Sequence, residues 1–226
     1  MLTGDDLNVI WLTAKLAGIV TFILLLIGTP LAWWLARTRS WCKGIIASVI
    51  TLPMVLPPVV LGFYLLITMG PYGPVGKFMA FLGLEPLPFT FAGLVVASVF
   101  YSLPFMVNPL QSVFESISNR PLEVAATLRA SPIDTFFTVV IPLALPGFIS
   151  ASVITFAHTV GEFGMILMIG GNLPGITRVA SVQIYDYVES MDFSSAHRLA
   201  GVMLVFSFLI LLSMHLNHPG KVKCGE

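Results

Sequence analysis

The chain has 226 residues, 57% hydrophobic and only 10% charged, with 11 basic and 11 acidic side chains and a formal net charge of zero. Soluble domains carry about 25% charged residues, so this composition, with a mean hydropathy of +0.94, excludes a water-soluble globular fold. It also leaves no basic excess to argue for nucleic acid, and no such partner is expected. Several apolar runs reach the roughly 20 residues that cross hydrocarbon as a helix. The expected class is an all-α integral membrane protein of about five transmembrane helices, forming a single transmembrane domain over residues 1–226.

Asp5 and Asp6 open the chain with no basic n-region, so a cleaved signal peptide is not expected. The first span covers Leu12–Ala36. Lys15 lies near its outer end, where a long side chain can snorkel to the interface, and Trp33 and Trp34 anchor the other end. Arg37, Arg39 and Lys43 follow at once and mark the cytoplasmic side. The second span covers Ile45–Met69 and contains Pro53, Pro57 and Pro58, which break the backbone ladder. Broken backbone at membrane depth persists only where protein or a water-filled cavity receives the freed carbonyls. Two readings stand: a pore-lining segment, with Pro57 and Pro58 as pore or gate candidates, or a kinked helix packed against its neighbours. The Gly- and Pro-rich connector Gly70–Pro88 reads as an external loop. Phe89–Leu110 is the third span, with a kink at Pro104.

The stretch Asn119–Pro146 interrupts the apolar pattern and reads as two short helices. Asn119 is placed to cap the first, with Pro121 in its opening turn and Glu123 near the positive end of the dipole. Ser131-x-x-Asp134 has capping-box spacing, with Pro132 at the first helical position of the second. Ile133, Phe136, Phe137 and Val140 share one apolar face of that helix, and Pro142 and Pro146 are expected to end it.

The fourth span, Gly147–Ile169, holds His158 and Glu162 one helical turn apart, with Phe163 beside them. Intramembrane ionisable groups face a cavity or a partner. A metal site would need more ligands than this pair supplies. A proton relay is a second reading. The preferred third is a polar pair near the outer end, satisfied by each other, backbone or water, at a gate or subunit contact. Gly170–Ala196 is a second outer segment, with Arg178 able to attract an anion but read as solvated, and an interfacial helix allowed near Tyr185–Ser194. Leu199–Leu216 is the fifth span, followed by Lys221 and Lys223. Basic residues concentrate on the sides of Arg37, Arg120, Arg129 and Lys221, which places the N-terminus outside and the C-terminus inside. Cys42 and Cys224 both fall on that inner side, so no disulfide is expected. No P-loop, nucleophile elbow, H-E-x-x-H or cysteine cluster occurs, so the chain is not expected to be an enzyme or to need a cofactor.

Glu123-Val124-Ala125, Leu128-Arg129-Ala130-Ser131 and Ile141-Pro142 resemble the cytoplasmic EAA loop of ABC importer permeases. That pattern runs E-A-A, three residues, Gly, nine residues, Ile, one residue, Leu-Pro. Glu123, Ala125 and Pro142 match it; Val124, Val139 and Ile141 replace Ala, Ile and Leu; and Arg129 stands in place of the turn Gly, where a positive φ is free for Gly and costly for Arg. Leu52-Pro53 through Leu56-Pro57-Pro58-Val59-Val60-Leu61-Gly62 resembles the second span of molybdate permeases. Gly161-Glu162-Phe163-Gly164 with Gly171-Asn172-Leu173-Pro174-Gly175-Ile176-Thr177 resembles a block shared by molybdate and sulfate permeases.

The resemblance implies a permease subunit in the bacterial inner membrane. Two copies would form a molybdate pore, each contacting one subunit of a cytoplasmic ABC ATPase dimer, with a periplasmic oxyanion-binding protein delivering substrate. Glu123, Val124, Ala125, Ala126, Leu128, Arg129, Ala130 and Ser131 would couple to the ATPase. Sulfate, thiosulfate or tungstate are alternative substrates. A proton-coupled secondary transporter using His158 and Glu162 is the alternative from another class.

Overall fold

A computed structural model describes residues Gly4–Asn217, with side chains through Leu212. Lys221, Lys223 and Cys224 lie outside the described residues. The elements are α1 (Gly4–Arg37), α2 (Cys42–Val55), α3 (Pro58–Met69), α4 (Pro74–Phe81), α5 (Phe91–Ser116), α6 (Arg120–Thr127), α7 (Pro132–Thr135), a π-helical turn (Phe136–Val140), α8 (Ile141–Gly161), α9 (Gly164–Gly170), α10 (Ala180–Glu189) and α11 (Phe193–Asn217). Five stretches are long and apolar enough to cross a bilayer: α1, α3 with α4, α5, α7 through α8, and α11.

The centre of the bundle is α1, α5 and α8, which pack on one another. Their shared faces carry small residues: Ala17, Gly28 and Ala32 on α1, Ala97 and Ser98 on α5, and Ala144, Gly147 and Ala151 on α8 are all buried. Lipid is as apolar as leucine, so association gains little from burial alone; small side chains let backbones approach and dispersion contacts accumulate. Around this centre α3 lies against α9, and α10 against α11. Two tethers join α10 to α1. The Ala180 N–H donates to Thr13 Oγ1 at 2.8 Å, and the Tyr187 hydroxyl donates to Asp6 Oδ1 at 2.9 Å. Asp192 caps α11 by accepting from the Ser195 N–H at 3.1 Å.

Several sequence expectations need correction. The second expected span is two helices, broken at Leu56–Pro57, while Pro53 sits inside α2. Pro57 and Pro58 together deny α3 a ladder continuing from α2. The connector Gly70–Pro88 contains α4; Pro74 occupies its first turn, where a missing N–H costs nothing. The fourth span does not begin at Gly147. Helical structure runs from Pro132 to Gly161, then breaks at Glu162–Phe163 before α9. Pro142 lies in the first turn of α8, and Pro146 is interior to it. Ser150 Oγ donates to the Pro146 carbonyl at 3.0 Å, one turn on. The expected apolar face of the second loop helix is split. Val140 is buried and Phe136 packs on the core, but Ile133 and Phe137 are exposed. Phe136 and Val140, four apart, share one side and Ile133 and Phe137 the other; over the same residues the helix is a π turn, with the Ile141 N–H bonded to the Phe136 carbonyl five residues back. Arg178 is not freely solvated. It is half-buried, donating to Gln183 Oε1 and to the Asn172 carbonyl, both at 3.3 Å, with Asp186 at 3.6 Å. Lys15 lies 4.8 Å from the centroid of the Phe91 ring, a cation–π contact. A helix does occupy Gly170–Ala196, at Ala180–Glu189 and so earlier than Tyr185–Ser194.

Candidate functional site

The candidate residues fall into two groups at different levels of the bundle. The first is the α6–α7 loop at the basic end, beside Arg37 and Lys43. Asn119 does not cap α6 with its side chain. Its own backbone is helical, and its Oδ1 accepts from Arg37 Nη1 at 2.9 Å. Arg37 Nη2 reaches the carbonyls of Ile117 at 3.1 Å and Phe114 at 3.4 Å, and its guanidinium lies 4.8 Å from the Trp33 ring centroid. One arginine therefore occupies the orphan carbonyls at the end of α5 and holds the first residue of the loop. Lys43 adds a second tie, donating to Glu115 Oε1 at 3.0 Å. An aromatic cluster of Trp33, Phe114, Phe136 and Phe148 packs beneath, with centroids 5.3 Å apart for Trp33–Phe114 and 5.4 Å for Trp33–Phe136.

The turn between α6 and α7 is a Schellman motif. Arg129 has φ +60°. Its N–H bonds the Ala126 carbonyl at 3.0 Å, and the Ala130 N–H bonds the Ala125 carbonyl at 3.1 Å. Ser131 then caps α7 by accepting from the Asp134 N–H at 3.1 Å, as its spacing predicts. Within α6 only Ala125 is buried. Glu123, Val124, Ala126, Arg129 and Ser131 are exposed, as is Leu128, and Ala130 is half-buried. Val124 and Leu128, 59% and 77% exposed, form an apolar patch on a loop otherwise edged by charge.

The second group lies toward the opposite end, where two helix breaks meet. Glu162 and Phe163 separate α8 from α9, and Leu56 and Pro57 separate α2 from α3. Pro58, His158, Glu162 and Phe163 line one cavity of about 530 Å³, together with Val59 and Tyr101. Glu162 is 4% exposed. Its carboxylate accepts from Ser98 Oγ at 2.7 Å and Ser102 Oγ at 2.8 Å, both on α5. His158 Nδ1 lies 3.5 Å from Glu162 Oε1 and 3.1 Å from Ser102 Oγ, and its ring stacks on Phe105 with centroids 3.7 Å apart. The Glu162 carbonyl accepts a short bond from Ser181 Oγ of α10, and Phe163 packs on Tyr185, also of α10, with centroids 5.1 Å apart. A buried carboxylate without donors is costly, and here hydroxyls supply them. The break is thus fastened to α5 through its side chain and to α10 through its backbone. No group of three or more His, Cys, Asp or Glu side chains placed to hold a metal occurs among the described residues.

Sequence reasoning singled out His158 and Glu162 but missed Ser98 and Ser102. The available signal was two serines at i, i+4 in an apolar span, a polar stripe with no partner on its own helix. From sequence Arg37 is only a topology marker. Nothing local distinguishes it from Arg39.

Residues 28–221 match the family model described as binding-protein-dependent transport system inner membrane component. The chain belongs to that family. As a member it is a multi-pass inner-membrane protein, with five stretches long and apolar enough to cross the bilayer. It is 65% identical over 220 residues to the molybdenum transport system permease protein ModB of Azotobacter vinelandii, covering 97% of each chain. It is 34% identical over 209 residues to the sulfate transport system permease protein CysT of a Synechocystis strain, covering 92% of this chain and 72% of that one. A solved bacterial alginate ABC transporter, in complex with an alginate pentasaccharide-bound periplasmic protein, shares the fold of this family member. Its TM-score is 0.77 at 18% identity, covering 96% of this chain and 79% of that one.

Proposed function

We propose that this chain is the permease subunit of an ATP-driven importer of molybdate. The observation that carries this reading is the 65% identity to a molybdenum permease over 97% of both chains, against 34% to a sulfate permease. In this reading two copies form the pore. The basic end, with Arg37, Lys43, Arg120 and Arg129, faces the cytoplasm, which puts the N-terminus outside. The α6–α7 loop docks on a separate ATPase subunit through Val124 and Leu128, and the Arg37–Asn119 tie transmits its movement to α1 and α5. The facing breaks at Pro57–Pro58 and Glu162–Phe163 lie at the gate, near the end where a periplasmic binding protein delivers the oxyanion. The polar groups around them are arranged to satisfy one another and leave few donors for a tight oxyanion site. That suits a pore that must release what it receives, with selectivity held in the binding protein.

The test is uptake of labelled molybdate in cells lacking their own permease, complemented with this chain, its ATPase and its binding protein. The reading expects uptake that a tenfold excess of sulfate leaves largely intact and that disappears when the ATPase is inactivated. Equal competition by sulfate would move the substrate to that anion. Uptake that survives ATPase inactivation and collapses with the proton gradient would replace the mechanism by a secondary one.

A further inference from the structure

Arg129 is held in a conformation that L residues other than Asn and Asp seldom adopt, at φ +60°. The Schellman hydrogen bonds around it are made by backbone alone, so the turn asks nothing of its side chain. Glycine would form the same turn without the contact between Cβ and the following carbonyl. Among the described residues the side chain makes no hydrogen bond or ion pair that would compensate. It is exposed, and it enters none of the three close pairs of opposite charge type among the described residues, Lys43–Glu115, His158–Glu162 and Arg178–Asp186. It emerges next to Leu128, at the edge of the apolar patch that Val124 begins. A cation projected from a hydrogen-bonded turn beside an exposed apolar patch suits an interface with a partner of complementary shape and charge.

We propose that Arg129 selects the partner: its guanidinium pairs with a carboxylate on the ATPase subunit, at the rim of the apolar groove that receives Val124 and Leu128. This rests on the reading of the α6–α7 loop as the ATPase dock. A planar guanidinium can bond a carboxylate through two parallel N–H donors, which an ammonium cannot, so arginine and lysine differ here. The same turn recurs at the end of α10. Met191 has φ +61°, the Met191 N–H bonds the Val188 carbonyl, and the Asp192 N–H bonds the Tyr187 carbonyl. Met191 therefore serves as a control with equivalent backbone geometry remote from the loop.

The experiment measures ATPase binding to the full-length permease in nanodiscs, at two salt concentrations, for the native chain and for R129G, R129K, R129E and M191G. Thermal unfolding of each permease is recorded alongside. The proposal expects R129G to bind about tenfold more weakly, the scale of one charge-assisted interface contact, without a lowered unfolding temperature. R129E is weaker still, R129K intermediate, and M191G unchanged. The salt dependence falls in R129G. Native affinity in both R129G and R129E would overturn the proposal. V124D and L128D separate it from its foundation. If they bind the ATPase normally, the docking reading fails and this proposal with it. If they abolish binding while R129G and R129E do not affect it, only the assignment of Arg129 is overturned.

Discussion

Arg37 Nη1 and Asn119 Oδ1 are 2.9 Å apart, and this bond joins the last residue of α1 to the residue that opens the α6–α7 loop. The same guanidinium holds the Phe114 and Ile117 carbonyls. It thereby closes the end of α5 and fixes the loop to two central helices at once. In the proposed docking role such a fixture matters, because a flexible connection would absorb displacement before it reached the spans.

Arg37→Ala is accordingly expected to uncouple the permease. The hydrogen bonds of a charged donor contribute about 1.5–3 kcal/mol each, less where solvent competes, so unfolding measured by heat or denaturant should show a loss of about 2 kcal/mol. ATP hydrolysis in the assembled complex should continue with reduced dependence on loaded binding protein. Arg37→Lys should fall between, since one ammonium cannot reach three acceptors in the same geometry. Full coupling in Arg37→Ala would show that the loop is held by packing alone.

Ser98 and Ser102 supply the donors of the buried Glu162 carboxylate. Replacing both by alanine strands that group, with a cost of about 2–5 kcal/mol in stability, and should release the α8–α9 break from α5. Glu162→Gln keeps the shape and an acceptor oxygen for both serines, so it should be milder than the double serine variant. Transport rate and thermal unfolding of the three proteins check the order. The double variant His158→Ala/Glu162→Gln addresses proton coupling: transport at the native rate would eliminate a relay through this pair.

A Cβ added to Gly62 would lie 2.9 Å from Met168 Cβ and 3.2 Å from the Met165 Cα, so α3 and α9 touch nearly backbone to backbone. Gly62→Ala must push them apart. Overpacking of this kind costs about 1–3 kcal/mol, and because the two helices begin at the facing breaks, transport should fall with stability. Gly18→Ala is the contrast. Its added Cβ meets nothing within 4 Å, and the substitution should be neutral or raise helix stability by up to about 1 kcal/mol. Equal tolerance at both sites would contradict the close approach of α3 and α9.

What could be read from sequence was local. Ser131 and Asp134 announce a helix start because a cap is a contact between residues three apart. The conflict at Arg129 was visible because a turn type constrains φ, and the structure resolves it by accepting a left-handed arginine. A pair of prolines at Pro57–Pro58 breaks a helix in any environment. The readings that failed depended on context. Pro142 and Pro146 look like terminators, yet a membrane helix that has already loosened into a π turn continues through both. The break after Gly161 has no proline at all; Glu162 leaves the helix because Ser98, Ser102 and Ser181 hold it from two other helices. Arg178 looked like a lone surface cation until the fold brought Asp186 and Gln183 to it.

The most direct test of the account is ATP-driven accumulation of labelled molybdate in proteoliposomes carrying two copies of this chain, its ATPase and external binding protein. Accumulation should require ATP and binding protein together, be unaffected by a proton ionophore, and be lost in Val124→Asp/Leu128→Asp while the ATPase itself remains active. Accumulation that persists without ATP, or in that loop variant, would contradict the account.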